Sequence, residues 1–224
     1  MSGGFFFGID PLSSGCILVP VPHLYRIFSK IAAAPELFDG VECFTLISGG
    51  ERMHLVGSRI VIRDFTLADA PAYFNYASDA RVYQPAGMQP MRHIGDAEAA
   101  ITRFMLERSD FAITLNGRLI GNIGAYQPTP DPDDPESLTR ELGYALAPDY
   151  WGQGFMAEAL ELLCDFLWLA GVTEIWAAVY PDNQRSINLL TTHCFVYQYQ
   201  VPIPMGLRRG DQVVEAYYRR LPVA

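Results

Sequence analysis

The chain has 224 residues, half of them hydrophobic, which predicts one domain with an appendage and a substantial core. No apolar run approaches the roughly 18 to 20 residues of a membrane helix, and a net charge of −9 disfavours nonspecific binding to nucleic acid. The four cysteines lack the C-x-x-C spacing of zinc sites, so we expect free thiols, no metal and a cytoplasmic location.

Residues 1–52 differ in composition from the rest of the chain. They combine a Gly-Gly-Phe-Phe-Phe run with several prolines, and they lack the basic start and clean apolar core of a signal peptide. Two interpretations stay open: an artefact of an upstream start, with Met53 as the true start, or an appendage without a part in catalysis. Because a free tail is normally polar, the apolar residues of this segment predict packing on the domain or at a dimer contact. We expect a monomer or a homodimer, with residues 53–224 as the functional domain.

The first half of this domain predicts a strand, two helices and a hairpin. Thr66 is placed to cap the first helix, with Asp69 in its first turn. The pair Asn116-Gly117 between two apolar runs is a strong signal for a two-residue hairpin turn. The elements in order are a strand at 59–63, helices at 64–78 and 96–107, hairpin strands at 111–115 and 119–126, and a surface loop at 128–135.

The second half is organised around a strand, a glycine turn and a helix. The strand covers 141–146 and ends before Pro148, because proline has no N–H for a strand ladder. Gly152 and Gly154 form the turn, and apolar residues at helical spacing follow over 156–170. The remaining elements are a strand at 173–179, a helix at 186–192, and paired strands at 195–201 and 213–221 across a turn at 209–211.

The junction between the glycine turn and the helix is suited to bind phosphate. A helix N-terminus has unpaired N–H groups and a positive dipole end, and glycine lets an anion approach the main chain closely. A P-loop is excluded because the motif G-x-x-x-x-G-K-[ST] is missing, and the third glycine of the dinucleotide fingerprint is missing too. An ordinary strand–loop–helix connection is the simpler alternative.

The stretch Trp151-Gly-Gln-Gly154-Phe-Met156 resembles the R/Q-x-x-G-x-G/A loop that binds the acyl-CoA pyrophosphate in the GNAT N-acetyltransferase superfamily. Trp151 stands where most members carry Arg or Gln, as it often does in the branch typified by RimJ and RimL. Met156 replaces the usual small residue, which puts a bulky side chain where the cofactor backbone normally lies.

A second segment, 183–195, resembles the N-x-x-S/A-x-x-L-x-x-x-x-G-F sequence that closes over the pantetheine arm in the same family. Two departures stand out. Leu190 occupies a position where many relatives carry a tyrosine acid, and Cys194 replaces the glycine that precedes the phenylalanine.

The resemblance covers residues 59–221 and implies an α/β (α+β) class protein with the GNAT fold. That fold is a mixed central sheet whose fourth and fifth strands are parallel and splayed, with helices on both faces. The resemblance also implies acetyl-CoA as acyl donor, direct attack by an amine and no metal. Backbone N–H groups around 144–146 would then hold the carbonyl oxygen. The residues implied at the donor are Tyr144, Leu146, Trp151, Gly152, Gln153, Gly154, Phe155, Met156, Asn183 and Ser186.

Three residues are candidates for proton transfer. Glu141 is the only carboxylate in its strand and would act as base, directly or through water; it could equally be a surface glutamate paired with Arg140 or another arginine. Ser186 could protonate the departing sulfur or simply cap a helix, and Tyr180 is a competing acid. Asn183 could bind the pantetheine arm or cap the same helix.

The acceptor stays open between a protein N-terminus and a small amine. The runner-up function is a catalytically silent acyl-CoA-binding or regulatory module with the same fold. Met156, Leu190 and Cys194 are the departures that keep this alternative open.

Overall fold

The computed structural model describes residues 52–127, 138–202 and 214–222. Within these ranges the chain forms one eight-stranded sheet with the strand order β1-β2-β3-β4-β5-β6-β8-β7. The strands are β1 (His54–Val56), β2 (Ile60–Asp64), β3 (Asp110–Leu115), β4 (Arg118–Tyr126), β5 (Thr139–Leu146), β6 (Glu174–Val179), β7 (Val196–Pro202) and β8 (Val214–Arg220). The helices are α1 (Ala70–Ala77), α2 (Ala80–Tyr83), α3 (Ile94–Glu107), α4 (Phe155–Leu169) and α5 (Gln184–Thr192).

The predicted mixed sheet is confirmed, and its parallel pair is β5 with β6. These are the fifth and sixth strands rather than the fourth and fifth, because the short strand β1 precedes the first predicted strand. The parallel pairing runs only from Thr139 opposite Glu174 to Leu142 opposite Ala177. Both strands continue beyond this point, to Leu146 and Val179, so they separate and leave a gap between them.

Helices cover both faces of the sheet, as expected. On one face, α4 and α5 enclose the larger core with the inward residues of the strands, among them Ile62, Ile113, Leu142, Ile175 and Ala216. On the other face, α1, α2 and α3 enclose a second core that includes Ala112 and Ala145 from the sheet. Because successive strand residues point to opposite faces, the central strands β3, β4 and β5 contribute to both layers.

The first predicted helix begins later than expected. Asp64 ends β2, and Thr66 caps a 3-10 turn, Leu67–Asp69, before α1 starts at Ala70. The reason is Asp69, whose carboxylate accepts the Thr66 N–H at 2.8 Å and two bonds from Arg63 at 2.7 and 2.8 Å. These bonds favour the charged form and lower the pKa of Asp69 despite its burial.

The other predicted elements, including α5, agree with the structure to within one or two residues, whereas β1 and α2 were not predicted. No helix in the described part of the chain is both long and apolar enough to cross a membrane. The surface loop 128–135, the turn 209–211 and the segment 1–51 lie outside the described residues. The domain boundary at Met53 therefore stays a prediction, although Met53 itself is buried in the larger core.

Candidate active site

A pocket of about 100 Å³ lies where β5 and β6 separate. Gly143 and Tyr144 line it from β5, and Tyr180 lines it just beyond the end of β6. Asn183 and Ser186 line it from the start of α5. The fold thus brings together four of the predicted site residues, from segments more than 30 positions apart in the chain.

The glycine turn directly precedes α4. Gly152 and Gly154 have φ angles of 72° and 81°, values that a residue with a Cβ adopts only at a cost. A Cβ built on Gly152 would have no neighbour within 4 Å, so the Cβ side of this residue faces open space two positions before Gly154, the N-cap of a fifteen-residue helix. This geometry fits a phosphate group, which the N–H groups of a helix N-terminus and the positive end of its dipole would hold.

Two side chains keep this turn in place, those of Trp151 and Gln153. The Trp151 ring Nε1 donates to the Leu146 carbonyl oxygen at 2.7 Å, which ties the turn to the end of β5. Gln153 Nε2 donates to the Asp149 carbonyl oxygen at 2.9 Å. Leu146 itself is buried in the core. Trp151 and Gln153 thus shape the loop, with the Leu146 carbonyl oxygen as one acceptor. The predicted contact of these three residues with a cofactor stays a prediction.

Phe155 and Met156 pack inward. Phe155 is buried in the larger core, and Met156 is partly buried and packs against it. Any contact of Phe155 with a cofactor would therefore use its backbone. At least part of the Met156 side chain is therefore accommodated by the core.

One supporting contact, between Arg59 and Glu158, has no signal in the sequence. Arg59 Nε bonds Glu158 Oε2 at 2.8 Å, and Arg59 Nη1 donates to the Gln153 carbonyl oxygen at 2.8 Å. Glu158 Oε1 also accepts the Arg59 N–H at 2.8 Å. The turn between β1 and β2 is thereby fastened to α4 and to the glycine turn.

Glu141 is only 5% exposed and lies one residue before the last paired position of β5. It does not line the pocket wall itself. Burial, with a smaller effect from the nearby Glu215 carboxylate, raises the pKa of Glu141 to about 7. Arg140 lies in the alternate position of the strand and donates to the Thr139 carbonyl oxygen. In the described part of the chain Glu141 has no basic partner, so the predicted pairing with Arg140 is not found.

The Tyr144 side chain was missed by the sequence analysis, which considered only its backbone. Burial raises the pKa of Tyr144 to about 12, and a hydrogen-bonding contact with Ser186 opposes that rise. The two hydroxyl groups therefore lie together in the pocket. The phenol stays protonated at neutral pH and can supply a proton through Ser186 or directly.

Asn183 caps α5, which is one of the two roles predicted for it. Its Oδ1 accepts the Ser186 N–H at 3.2 Å, and its Nδ2 donates to the Pro85 carbonyl oxygen at 3.2 Å. The second bond holds the loop after α2 over the pocket. Tyr180 contacts the same loop, since a Cβ on Gly87 would lie 2.6 Å from the Tyr180 hydroxyl.

Arg185 was not predicted as a site residue. Its guanidinium lies over the Trp151 ring, next to the glycine turn, and the side chain is exposed. The sequence contains one indication of this arginine, because Trp151 occupies the position where the family pattern has an arginine or glutamine. The stacked arginine restores a positive charge at that place.

Comparisons with known proteins agree with this geometry. Residues 59–195 match the family model described as the acetyltransferase (GNAT) domain. The uncharacterized N-acetyltransferase p20 of Bacillus licheniformis is 28% identical over 149 residues, which are 63% of this chain and 81% of p20.

Two solved structures have the same fold. RimL, a ribosomal L7/L12 alpha-N-protein acetyltransferase, superposes with a TM-score of 0.66 at 15% identity, covering 80% of this chain and 99% of RimL. YncA from Salmonella typhimurium, solved with its cofactor acetyl-CoA, gives a TM-score of 0.58 at 19% identity, covering 73% of this chain and 94% of YncA.

Proposed function

Because the chain belongs to the GNAT acetyltransferase family, we propose that it transfers an acetyl group from acetyl-CoA to a primary amine. The observation that carries this proposal is the pocket between the separating ends of β5 and β6, beside the glycine turn of α4. The Trp151 variant of the loop and the fold shared with RimL support a place in the RimJ/RimL-like branch.

The donor is acetyl-CoA, which supplies the activated acetyl thioester. Gly152 and Gly154 would hold its pyrophosphate at the N-terminus of α4, with Arg185 adding positive charge. Asn183 and Ser186 would lie along the pantetheine arm, since both line the pocket.

Glu141 would act as the general base. Its pKa of about 7 lets it accept a proton from the attacking amine near neutral pH, directly or through water. The amine nitrogen then bonds to the acetyl carbon, and the carbon–sulfur bond breaks. Along the edge of β5 beyond Leu142, alternate backbone groups have no partner strand in β6, so N–H groups near Tyr144 can hold the carbonyl oxygen.

The departing thiolate needs a proton. Ser186 and Tyr144, in contact with each other in the pocket, would supply it. Tyr180 is the competing donor, as its side chain also lines the pocket. Leu190, which replaces the usual tyrosine acid, is 0% exposed and part of the core, so the acid must come from elsewhere.

The alternative of a silent acyl-CoA-binding module rested on three departures from the family pattern. Leu190 and Met156 contribute to the core, and Cys194 follows the end of α5. None of the three lines the pocket. Their positions support an active enzyme, because each change is absorbed by packing or by a turn.

Thiol release from acetyl-CoA, measured with a panel of primary amines, tests the proposal. We expect amine-dependent release that falls by roughly a hundredfold or more in Glu141→Gln, with CoA affinity kept. Tight CoA binding without release for any amine would support the silent module instead.

A further inference from the structure

Three aromatic side chains line the sheet beside Glu141, on the face opposite α4. Tyr199 and Tyr217 stack with ring centres 5.2 Å apart, and Trp176 lies 5.9 Å from Tyr199. The flanking residues of Trp176 and Tyr217 in their strands belong to the core under α4, so these two rings point to the other face. We call Trp176, Tyr199 and Tyr217 the aromatic wall.

Two carboxylates accompany this wall. Glu215 lines the pocket, and the Tyr217 hydroxyl donates to its Oε2 at 3.3 Å. Glu141 is close enough to Glu215 for the two charges to repel each other. Burial first, and then the negative charge of Glu141, raises the pKa values of both Tyr199 and Tyr217. Glu141, Glu215, Tyr199 and Tyr217 therefore share one site, in which the two carboxylates make the electrostatic potential negative.

The neighbouring strands leave this negative charge uncompensated. From β4, Tyr126 lies opposite Glu141, and its hydroxyl donates to Asp110 at 2.6 Å. From β8, Arg219 Nη1 bonds Glu174 at 3.2 Å, and its guanidinium lies over Trp176. Across the described part of the chain, no basic side chain pairs with Glu141 or Glu215.

Burying a carboxylate without a cation beside it costs desolvation free energy, and a ligand that carries the missing positive charge offsets that cost. An ammonium group does so and is also the form in which an aliphatic amine exists at neutral pH. Aromatic rings attract cations and apolar groups on their faces. Tyr199 is 44% exposed and offers such a face.

We propose that Glu215, Glu141 and the aromatic wall form the acceptor site, and that it selects primary alkyl- or arylalkylammonium ions with no carboxylate next to the amine. This inference rests on the proposed acetyltransferase function and names its acceptor class. The ammonium lies between the two carboxylates, and the carbon skeleton lies against Tyr199. A carboxylate beside the amine, as in a free amino acid, meets like charge at this place and is rejected.

Glu215 is the residue that sets this specificity. It does not exchange a proton with the amine; it adds attraction for the cation and keeps the proton affinity of Glu141 high. The proton released by the amine goes to Glu141, and the neutral nitrogen attacks the acetyl carbon.

Three amines of matched skeleton test the inference: phenethylamine, phenylalaninamide and phenylalanine. We expect kcat/KM, from thiol release, to be at least about tenfold lower for phenylalanine than for the two amines without a carboxylate. This comparison uses the unmodified protein and needs no variant to fold. Equal kcat/KM values for the three amines would overturn the inference.

Two variants extend the test. Glu215→Gln should cut the discrimination against phenylalanine to less than about threefold. It should also shift the acid limb of the kcat/KM profile to lower pH, because Glu215 no longer raises the pKa of Glu141. If Glu215 had only a structural role, the substitution would change neither the discrimination against phenylalanine nor the acid limb, and that result would contradict the inference.

Tyr199→Ala should raise KM for phenethylamine, whereas Tyr197→Ala serves as the matched control. Tyr197 is also exposed on β7, but its ring packs against Tyr218 of the larger core. Equal effects of the two substitutions would count against the wall. If no amine at all releases thiol while CoA binds, the proposed function itself fails, which is a different result.

Discussion

The guanidinium carbon of Arg185 lies 3.7 Å from the centre of the Trp151 ring. The ring is fixed in turn by its hydrogen bond to the Leu146 carbonyl oxygen. A positive charge is thus held beside the glycine turn by stacking, without a carboxylate partner in the described part of the chain. By contrast, Arg59 near the same turn is neutralised by Glu158.

Arg185→Gln should weaken CoA binding by about tenfold, or ~1.4 kcal/mol, because it removes an unpaired charge next to the phosphates. The difference should shrink as salt rises. Calorimetry with CoA and with pantetheine, which lacks the phosphates, separates charge from shape. Arg118→Gln is the charge-matched control, because Arg118 is exposed in the β3–β4 hairpin. An equal loss for CoA and pantetheine would contradict the role of the charge.

Gly152→Ala should weaken CoA binding by at least about tenfold, since a methyl group would intrude where the backbone meets phosphate. Gly171→Ala is its matched control: Gly171 follows α4, has a φ of 87° and also has open space around its Cβ position. Both substitutions impose a similar backbone strain of about 1 kcal/mol. Thermal unfolding should therefore shift alike in the two variants, while calorimetry detects a binding loss only in Gly152→Ala.

The pH dependence of catalysis should follow Glu141. Its raised pKa predicts that kcat/KM falls as pH drops below about 7, because the carboxylate then carries a proton and cannot accept another. In Glu141→Gln the residual activity should lack this acid limb. An unchanged pH–rate profile in the variant would assign the limb to another group.

Cys194→Gly should stabilise the protein by about 1 kcal/mol, raising the midpoint of thermal unfolding by about 2–4 °C. Cys194 has a φ of 62° after the end of α5, and the next N–H, that of Phe195, bonds the Leu190 carbonyl oxygen at 3.0 Å. This is the helix ending that glycine favours. Cys194→Ala keeps the strained Cβ and removes only the thiol, so a gain in that control would contradict the explanation.

Much of the fold could be predicted because its signals are local. The Asn116-Gly117 turn, the glycines before α4 and the alternation of the strands each depend on neighbouring residues, and the structure confirms them. The late start of α1 depends instead on Arg63, which reaches Asp69 from the preceding strand. The helix propensities of residues 64–69 carry no information about that contact.

The site was predictable only in part for the same reason. The motif residues were found from their spacing, but the contact of Arg59 with Glu158 joins positions 99 apart in the chain. The environment of Glu141 likewise depends on Glu215, which belongs to another strand. The second pair is created by the sheet order, which places β8 beside β6.

The burial of Glu141 also has a thermodynamic consequence for the whole protein. Between pH 4.5 and about 7 the unfolded chain has released the Glu141 proton while the folded chain retains it, so ionisation reduces the free energy of unfolding across that window. The shift corresponds to about 3 kcal/mol at pH 8. Glu141→Gln should therefore melt at a higher temperature than the wild type at pH 8 and at nearly the same temperature at pH 4. Reactivity and folding stability therefore make opposite demands on this residue, and we expect the less active Glu141→Gln variant to be the more stable protein.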